Sequence, residues 1–248
     1  MNTRMSAHAR MIRSVVSAAA LCVAAAPALA DPSFTTVTPH PSELNHHQIL
    51  HNIYGGAWSL SGNDYTSGSL SAIRIADFGF ISPLEASSGA SSGVNDQTWA
   101  GQSIMLTARA KNAGDNSHFG WIDDTQAIPA FVPLFNTGSI GASSTIVGSA
   151  SFRWALKDLT MNTLFTSLAS DNLDTNSIAR DQLVTYRING LNTSEAVYLL
   201  CWEDRIYGKG SADYDYNDSV IELRATLVPA PGAAAVFGLA GLLARRRR

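Results

Sequence analysis

The chain has 248 residues, of which 46% are hydrophobic, with a formal charge of −3; this is enough apolar material for one large all-β domain or two small ones, and it excludes a disordered chain and a polytopic membrane protein. The charge understates the acidity of the body. Seven of the 17 basic residues, Arg4, Arg10, Arg13 and Arg245 to Arg248, lie in terminal segments that hold no acid, leaving ten bases against 20 acids, a balance of about −10 that repels nucleic acid and anionic lipid and attracts cations.

Residues 1–30 read as a secretory signal peptide with a basic start, an apolar stretch at 15–26, and Ala28-Leu29-Ala30 as the small-x-small cleavage site, so the mature chain begins at Asp31. Cys22 lies in the apolar stretch without a lipobox, since Leu21 stands where a small residue is needed. The mature body keeps Cys201 alone, which cannot form an internal disulfide and is expected to be a buried, inert thiol.

Residues 31–41 predict an extended lead-in. Residues 42–54 predict a short helix with Ser42 as N-cap and Ile49, Leu50 and Ile53 on its apolar face. Its His47 and His51 are one turn apart, a spacing compatible with zinc, but no HExxH glutamate or third partner accompanies them, so they read as surface and cap residues. Gly55-Gly56 ends the helix and Gly62-Asn63-Asp64 marks a turn. Residues 69–75 read as a strand and the Ser/Gly-rich stretch 81–98 as a long loop within one domain.

Strands are then expected at 102–110, 117–122, 131–135 and 151–156, a short helix at 159–168, and a polar loop at 171–176. Val184, Tyr186 and Ile188 alternate with Thr185 and Arg187, and Asn189-Gly190 supplies the turn that follows. Residues 196–202 are apolar on both faces, as a central sandwich strand is. In the last strand Val220, Glu222 and Arg224 alternate with Ile221, Leu223 and Ala225, a pattern that predicts the charged pair to be exposed. The architecture these elements predict is all-β: one secreted domain at 31–227, an antiparallel β-sandwich, jelly-roll-like, with one or two short helices.

Between the last two strands, residues 202–220 crowd together Glu203, Asp204, Asp213, Asp215, Asn217 and Asp218. Carboxylates this close raise one another's pKa and need a cation, donors or a proton. Calcium, which takes six to eight oxygens in flexible geometry, fits that donor set. The run is no EF-hand, because the sixth position is Asp218 rather than Gly and the twelfth is Arg224 rather than Glu. A solvated hairpin loop, with Asp and Asn chosen for turn propensity, is the alternative. The pattern W-E-D, then G-x-G-S, then D-Y-D-Y-N-D before a final strand resembles the signature of a bacterial secreted domain of unknown function. That resemblance implies an extracellular, calcium-associated module without established catalysis, and it carries onto these six residues alone.

The final segment, 228–248, combines Val228-Pro229-Ala230-Pro231-Gly232, an apolar run of 13 residues from 232 to 244, and four terminal arginines. The run is short against the ~20 residues of a straight bilayer span. The three-part arrangement resembles the PEP-CTERM sorting signal in its Val-Pro-Ala-Pro-Gly form. The resemblance implies a transmembrane segment that tethers the chain transiently, processing by an exosortase, and delivery to the surface of a Gram-negative-type bacterium, often one that makes exopolysaccharide.

The expected function is therefore that of a non-catalytic, calcium-stabilised protein of the cell surface or extracellular matrix. A carbohydrate-binding module is the first alternative, with Trp58, Trp99, Trp121, Trp154 and Tyr207 as candidate stacking residues. A polysaccharide hydrolase using Glu203 or Asp204 is the second, with no GxSxG, HExxH or Cys/His pairing to support it.

Overall fold

The computed structural model describes residues 33–77, 95–101, 103–149, 151–208 and 212–226. The predicted signal peptide with Ala28 and Ala30, most of the predicted loop 81–98, and the tail with Val228, Pro229, Ala230, Pro231 and Gly232 lie outside them. Among the described residues no helix is long and apolar enough to cross a membrane.

Twelve strands are described: β1 (Ser59–Ser61), β2 (Asp64–Ser67), β3 (Leu70–Arg74), β4 (Ser103–Lys111), β5 (Ser117–Asp123), β6 (Phe131–Asn136), β7 (Ser143–Val147), β8 (Phe152–Asp158), β9 (Thr163–Thr166), β10 (Leu183–Asn189), β11 (Glu195–Trp202) and β12 (Ser219–Thr226). Among the described residues they pair antiparallel into an eight-stranded sheet of order β1-β2-β3-β10-β11-β12-β4-β7 and a four-stranded sheet of order β6-β5-β8-β9. The chain is an all-β antiparallel sandwich.

The alternation of β11 explains the layering. Ala196, Tyr198, Leu200 and Trp202 face the four-stranded sheet and join a core with Trp99, Phe119, Phe152 and Trp154. Val197, Leu199 and Cys201 face the other way, into a second core with Ile49, Leu50, Tyr186 and Tyr216. The eight-stranded sheet is thus covered on both faces, which is why its central strand is apolar throughout. Burial pushes the Cys201 thiol pKa up and keeps it protonated.

The second cover is helix α1 (His46–Tyr54), whose N-cap is Asn45 rather than Ser42. Asn45 Oδ1 accepts from Gln48 N at 3.1 Å and Gln48 Oε1 accepts from Asn45 N at 3.0 Å, a reciprocal capping box that Ser42 is too far upstream to make. At the β10–β11 turn, Gly190 has φ +85° and approaches Ser69 O so closely that a Cβ would lie 2.1 Å from it, so glycine is required there.

Two further expectations are corrected. Residues 159–168 form no helix: Asp158 Oδ1 accepts from Thr160 N and Met161 N, Asn162 turns left-handed at φ +53°, and the chain returns as β9 against β8. The Asx turn satisfies amides that a helix would otherwise use. Glu222 is not exposed but buried beside Tyr54, held by Arg109 Nη2 at 2.7 Å and by Arg224, because α1 covers the face that the alternation alone assigns to water. Strand β7, a Ser/Thr edge with Ile146 as its buried residue, carries too little periodicity to be read in advance.

Candidate metal centre

Strands β11 and β12 end and begin at the same edge of the large sheet, with Trp202 opposite Ser219 and Ser219 opposite Lys111. The loop between them therefore folds over the strand ends. Its left-handed residues Tyr214 (φ +64°) and Tyr216 (φ +55°) bend the chain twice within three positions, a conformation that costs non-glycine residues of order 1–3 kcal/mol each and persists only when surroundings enforce it.

The enforcing contacts reach far along the chain. His46 Nε2 donates to Tyr216 O at 3.0 Å, which leaves Nδ1 of the neutral ring to accept from Tyr186 Oη at 2.9 Å. Burial lowers the His46 pKa to about 4, so the ring stays neutral at pH 7. Thr38 N donates to Tyr214 O at 2.8 Å, Asn112 Nδ2 to Asn217 O at 3.0 Å, and Asn217 Nδ2 to Leu44 O at 3.0 Å. The lead-in, α1 and the β4–β5 connection all hold the loop in place.

All six residues singled out from the sequence meet here. Glu203, Asp204, Asp215, Asn217 and Asp218 are buried, and Asp213 is half-buried. Glu203, Asp204 and Asp218 can each offer one oxygen such that the three lie within 4.8 Å of one another; so can Glu203, Asp213 and Asp215. Glu203 belongs to both sets. Glu43, invisible in the sequence because it stands alone ahead of α1, forms a third such set with Asp215 and Asp218.

The internal hydrogen bonds do not use up these oxygens. Asp204 N donates to Asp218 Oδ2 at 2.7 Å, Tyr214 N to Glu203 Oε2 at 3.0 Å, and Asn217 N to Asp215 Oδ1 at 3.1 Å. Glu203 Oε1, Asp204 Oδ2, Asn217 Oδ1 and Glu43 Oε2 remain buried without a hydrogen-bond partner. A buried amide oxygen among carboxylates, with its own NH2 already spent on Asp215 and Leu44, is left to coordinate a cation or to accept from a water or a protonated carboxyl.

Electrostatics agree with the geometry. Burial first, then repulsion from Asp218 and the other acids, raises the Glu203 pKa to about 10. Burial and Asp218 raise Asp204 to about 8 despite Lys111 and Arg205; burial and Asp213 raise Asp215 to about 7; burial raises Asp218 to about 6. Lys111 Nζ lies 3.8 Å and Arg205 Nε 3.7 Å from Asp204, and Arg205 is shared with Asp115. Two shared cations do not neutralise six acids. The all-oxygen donor set is of the kind calcium takes, and Glu203, Asp204, Asp213, Asp215, Asn217 and Asp218, with Glu43 as an added carboxylate, could hold it.

The other sequence candidates fare differently. Trp58, Trp99 and Trp154 are buried in the two cores and Trp121 packs half-buried against the first, so they are structural rather than sugar-stacking residues. Tyr207 is 36% exposed and packs on Tyr214 with ring centroids 4.3 Å apart, while Arg180 sits 4.0 Å from its ring. His47 and His51 are exposed on α1, and His51 Nδ1 bonds Gly56 O.

No family model matches the chain, and no curated protein matches it. Among solved structures, one similar chain is a Chromobacterium violaceum lectin in complex with alpha-methyl-fucoside: 20% identical over 51% of this chain and 90% of the lectin, with a TM-score of 0.31.

Proposed function

We propose that this protein is a non-catalytic, exported surface or matrix component whose β-sandwich is locked by calcium bound in the 203–218 loop. The observation that carries the reading is the convergence of six oxygen-bearing side chains on the end of the large sheet, with Glu203 Oε1, Asp204 Oδ2 and Asn217 Oδ1 buried without a hydrogen-bond partner. Glu203 and Asp204 are each 1% exposed, which suits ion ligands and withholds them from a polysaccharide substrate. The signal-like leader and the tail from Val228 to Arg248 support export, transient membrane tethering and exosortase processing, with exopolysaccharide as a partner at the surface. Deleting 228–248 should release the body from the surface layer; normal surface retention of the deleted form contradicts the sorting role.

Calcium that binds only the folded form adds RT ln(1 + [L]/Kd), about 2.7 kcal/mol at a hundredfold excess over Kd. The test is the melting temperature of the full chain in chelator and in calcium, repeated with Asp215→Ala. The wild-type should gain roughly 5–10 °C and the variant little. Identical curves in both conditions return the loop to a solvated hairpin.

The carbohydrate-binding alternative retains one surface aromatic, Tyr207, beside the loop. A glycan array with the wild-type and Tyr207→Ala tests it: binding lost in the variant supports it, and an empty array with the wild-type opposes it.

A further inference from the structure

A second acidic cluster lies at the same end of the large sheet, in segments that the 203–218 motif does not include. Asp77 follows β3, Asp96 precedes β4, and Asp181 precedes β10. All three are buried, and each can offer one oxygen within 4.8 Å of the others. Tyr216 stands between the two clusters: its hydroxyl donates to Asp181 O at 3.1 Å, and both Asp181 and Glu203 act on it electrostatically.

The oxygens here are only partly used. Arg74 Nη2 donates to Asp77 at 2.9 and 3.2 Å, and Thr35 N also donates to Asp77. Asp181 Oδ1 accepts from Leu183 N at 3.1 Å, and Asp96 Oδ1 accepts from Gln97 Nε2 at 3.4 Å. Asp96 Oδ2 and Asp181 Oδ2 are buried with no partner.

A neutral side chain points to the same conclusion independently of the acids. Thr185 is fully buried on β10 with its hydroxyl beside Asp96, and Thr185 Oγ1 has no partner of hydrogen-bonding geometry. Arg74 is the cation that acts on Asp77, Asp96 and Asp181 alike. Burial holds the Asp96 and Asp181 carboxyls well above the usual range; with all three carboxylates ionised, one guanidinium would leave a charge of −2, which one divalent cation cancels.

We infer that Asp77, Asp96 and Asp181, with Thr185 Oγ1 as a neutral ligand, form a second, independent site for a hard divalent cation of the calcium class. The arrangement fits calcium's preference for carboxylate and hydroxyl oxygens in flexible geometry. The ion would join both ends of the 78–94 connection to β10, since Asp77 and Asp96 flank that connection and Asp181 leads into the strand.

The test counts bound calcium per full chain by equilibrium dialysis, using calcium alone as the probe, for the wild-type, Asp215→Asn, and the pair Asp96→Asn with Asp181→Asn. The pair should bind one ion fewer than the wild-type, while Asp215→Asn still binds an ion that the pair lacks. A wild-type that binds ions, with the same number bound by the pair, overturns the inference and leaves Asp96 and Asp181 sharing a proton or a water. Loss of all calcium in Asp215→Asn also overturns it, by showing that the loop is the whole site. If Asp215→Asn binds as the wild-type does and the pair binds none, the inference stands and the loop reading fails. Should the pair not fold, Thr185→Val replaces it: weakening of one class of sites by about tenfold supports the inference, and unchanged affinity in every class overturns it.

Discussion

The interior between the sheets and the acidic end of the large sheet are buried to the same degree and by opposite chemistry. Trp99, Trp154 and Trp202 are at most 1% exposed; Trp154 meets Trp99, Phe119 and Phe152 ring against ring and Trp202 meets Phe119, with centroids 4.9–6.3 Å apart. Glu203 and Asp204 are no more exposed, yet their carboxyl pKa values are raised to about 10 and 8 because burial and the neighbouring acids outweigh the few donors and cations beside them. Apolar burial is favourable without any addition, whereas buried carboxylates need protons or a cation. Sensitivity to calcium and pH should therefore be confined to one end of the molecule, and the core should be indifferent to both.

The largest effect should come from the indifferent region. Trp154→Ala removes a ring packed on Trp99, Phe119 and Phe152 and should cost about 3–5 kcal/mol, lowering the melting temperature by roughly 6–20 °C. The loss should be equal in chelator and in calcium; a loss that depended on calcium would break the contrast.

Glu203→Gln comes next, because Glu203 serves both oxygen sets of the loop. In chelator at pH 7 Glu203 is already protonated, its pKa standing near 10, so the neutral replacement should change stability by less than about 1 kcal/mol. In calcium the variant should lack the gain of about 2.7 kcal/mol that the wild-type shows at a hundredfold excess over Kd. Thermal melts in the two buffers read both numbers.

The pH dependence follows with its sign. Glu203 and Asp204 have folded pKa values above their unfolded ones, so in chelator the folded chain holds protons that the unfolded chain has released. Stability is then fully present below pH ~4 and is lost as pH rises through the folded values. Between pH 7 and 10, above the range in which His46 titrates, chelated stability should fall by up to about 1.4 kcal/mol per pH unit for each retained proton. Calcium should flatten that slope, since it binds the ionised form. Chemical denaturation across this window measures it, and a rise in chelated stability toward pH 10 would contradict the electrostatic account.

The smallest expected effect is a control. Asn45→Ala removes the capping box of α1 and should cost about 1 kcal/mol in either buffer, provided that α1 belongs energetically to the core it covers.

How much of this was legible in the sequence follows from how local each signal is. Strands β10, β11 and β12 show alternation or two-faced apolarity over seven or eight residues, so their period stands out. β9 does not, because Leu159, Leu164, Phe165 and Leu168 satisfy a helical spacing as well as a strand's, and only the Asx turn at Asp158 decides between them. The clustering of the six loop residues was readable because they lie within sixteen residues of one another. Glu43, Asp77, Asp96 and Asp181 were not, because tertiary pairing alone brings these isolated acids together. The tryptophans were ambiguous for the same reason: nothing local says whether an indole faces a sheet or the solvent.

The most direct test of the central claim is a crystal structure of the full chain grown in calcium, with anomalous scattering recorded to identify the ion. The account predicts calcium density in the 203–218 loop, with oxygen contacts of about 2.3–2.6 Å from Glu203 Oε1, Asp204 Oδ2 or Asn217 Oδ1, the buried atoms that lack a hydrogen-bond partner. Those same oxygens bonded to waters or to one another through shared protons, with no anomalous signal at millimolar calcium, would contradict it.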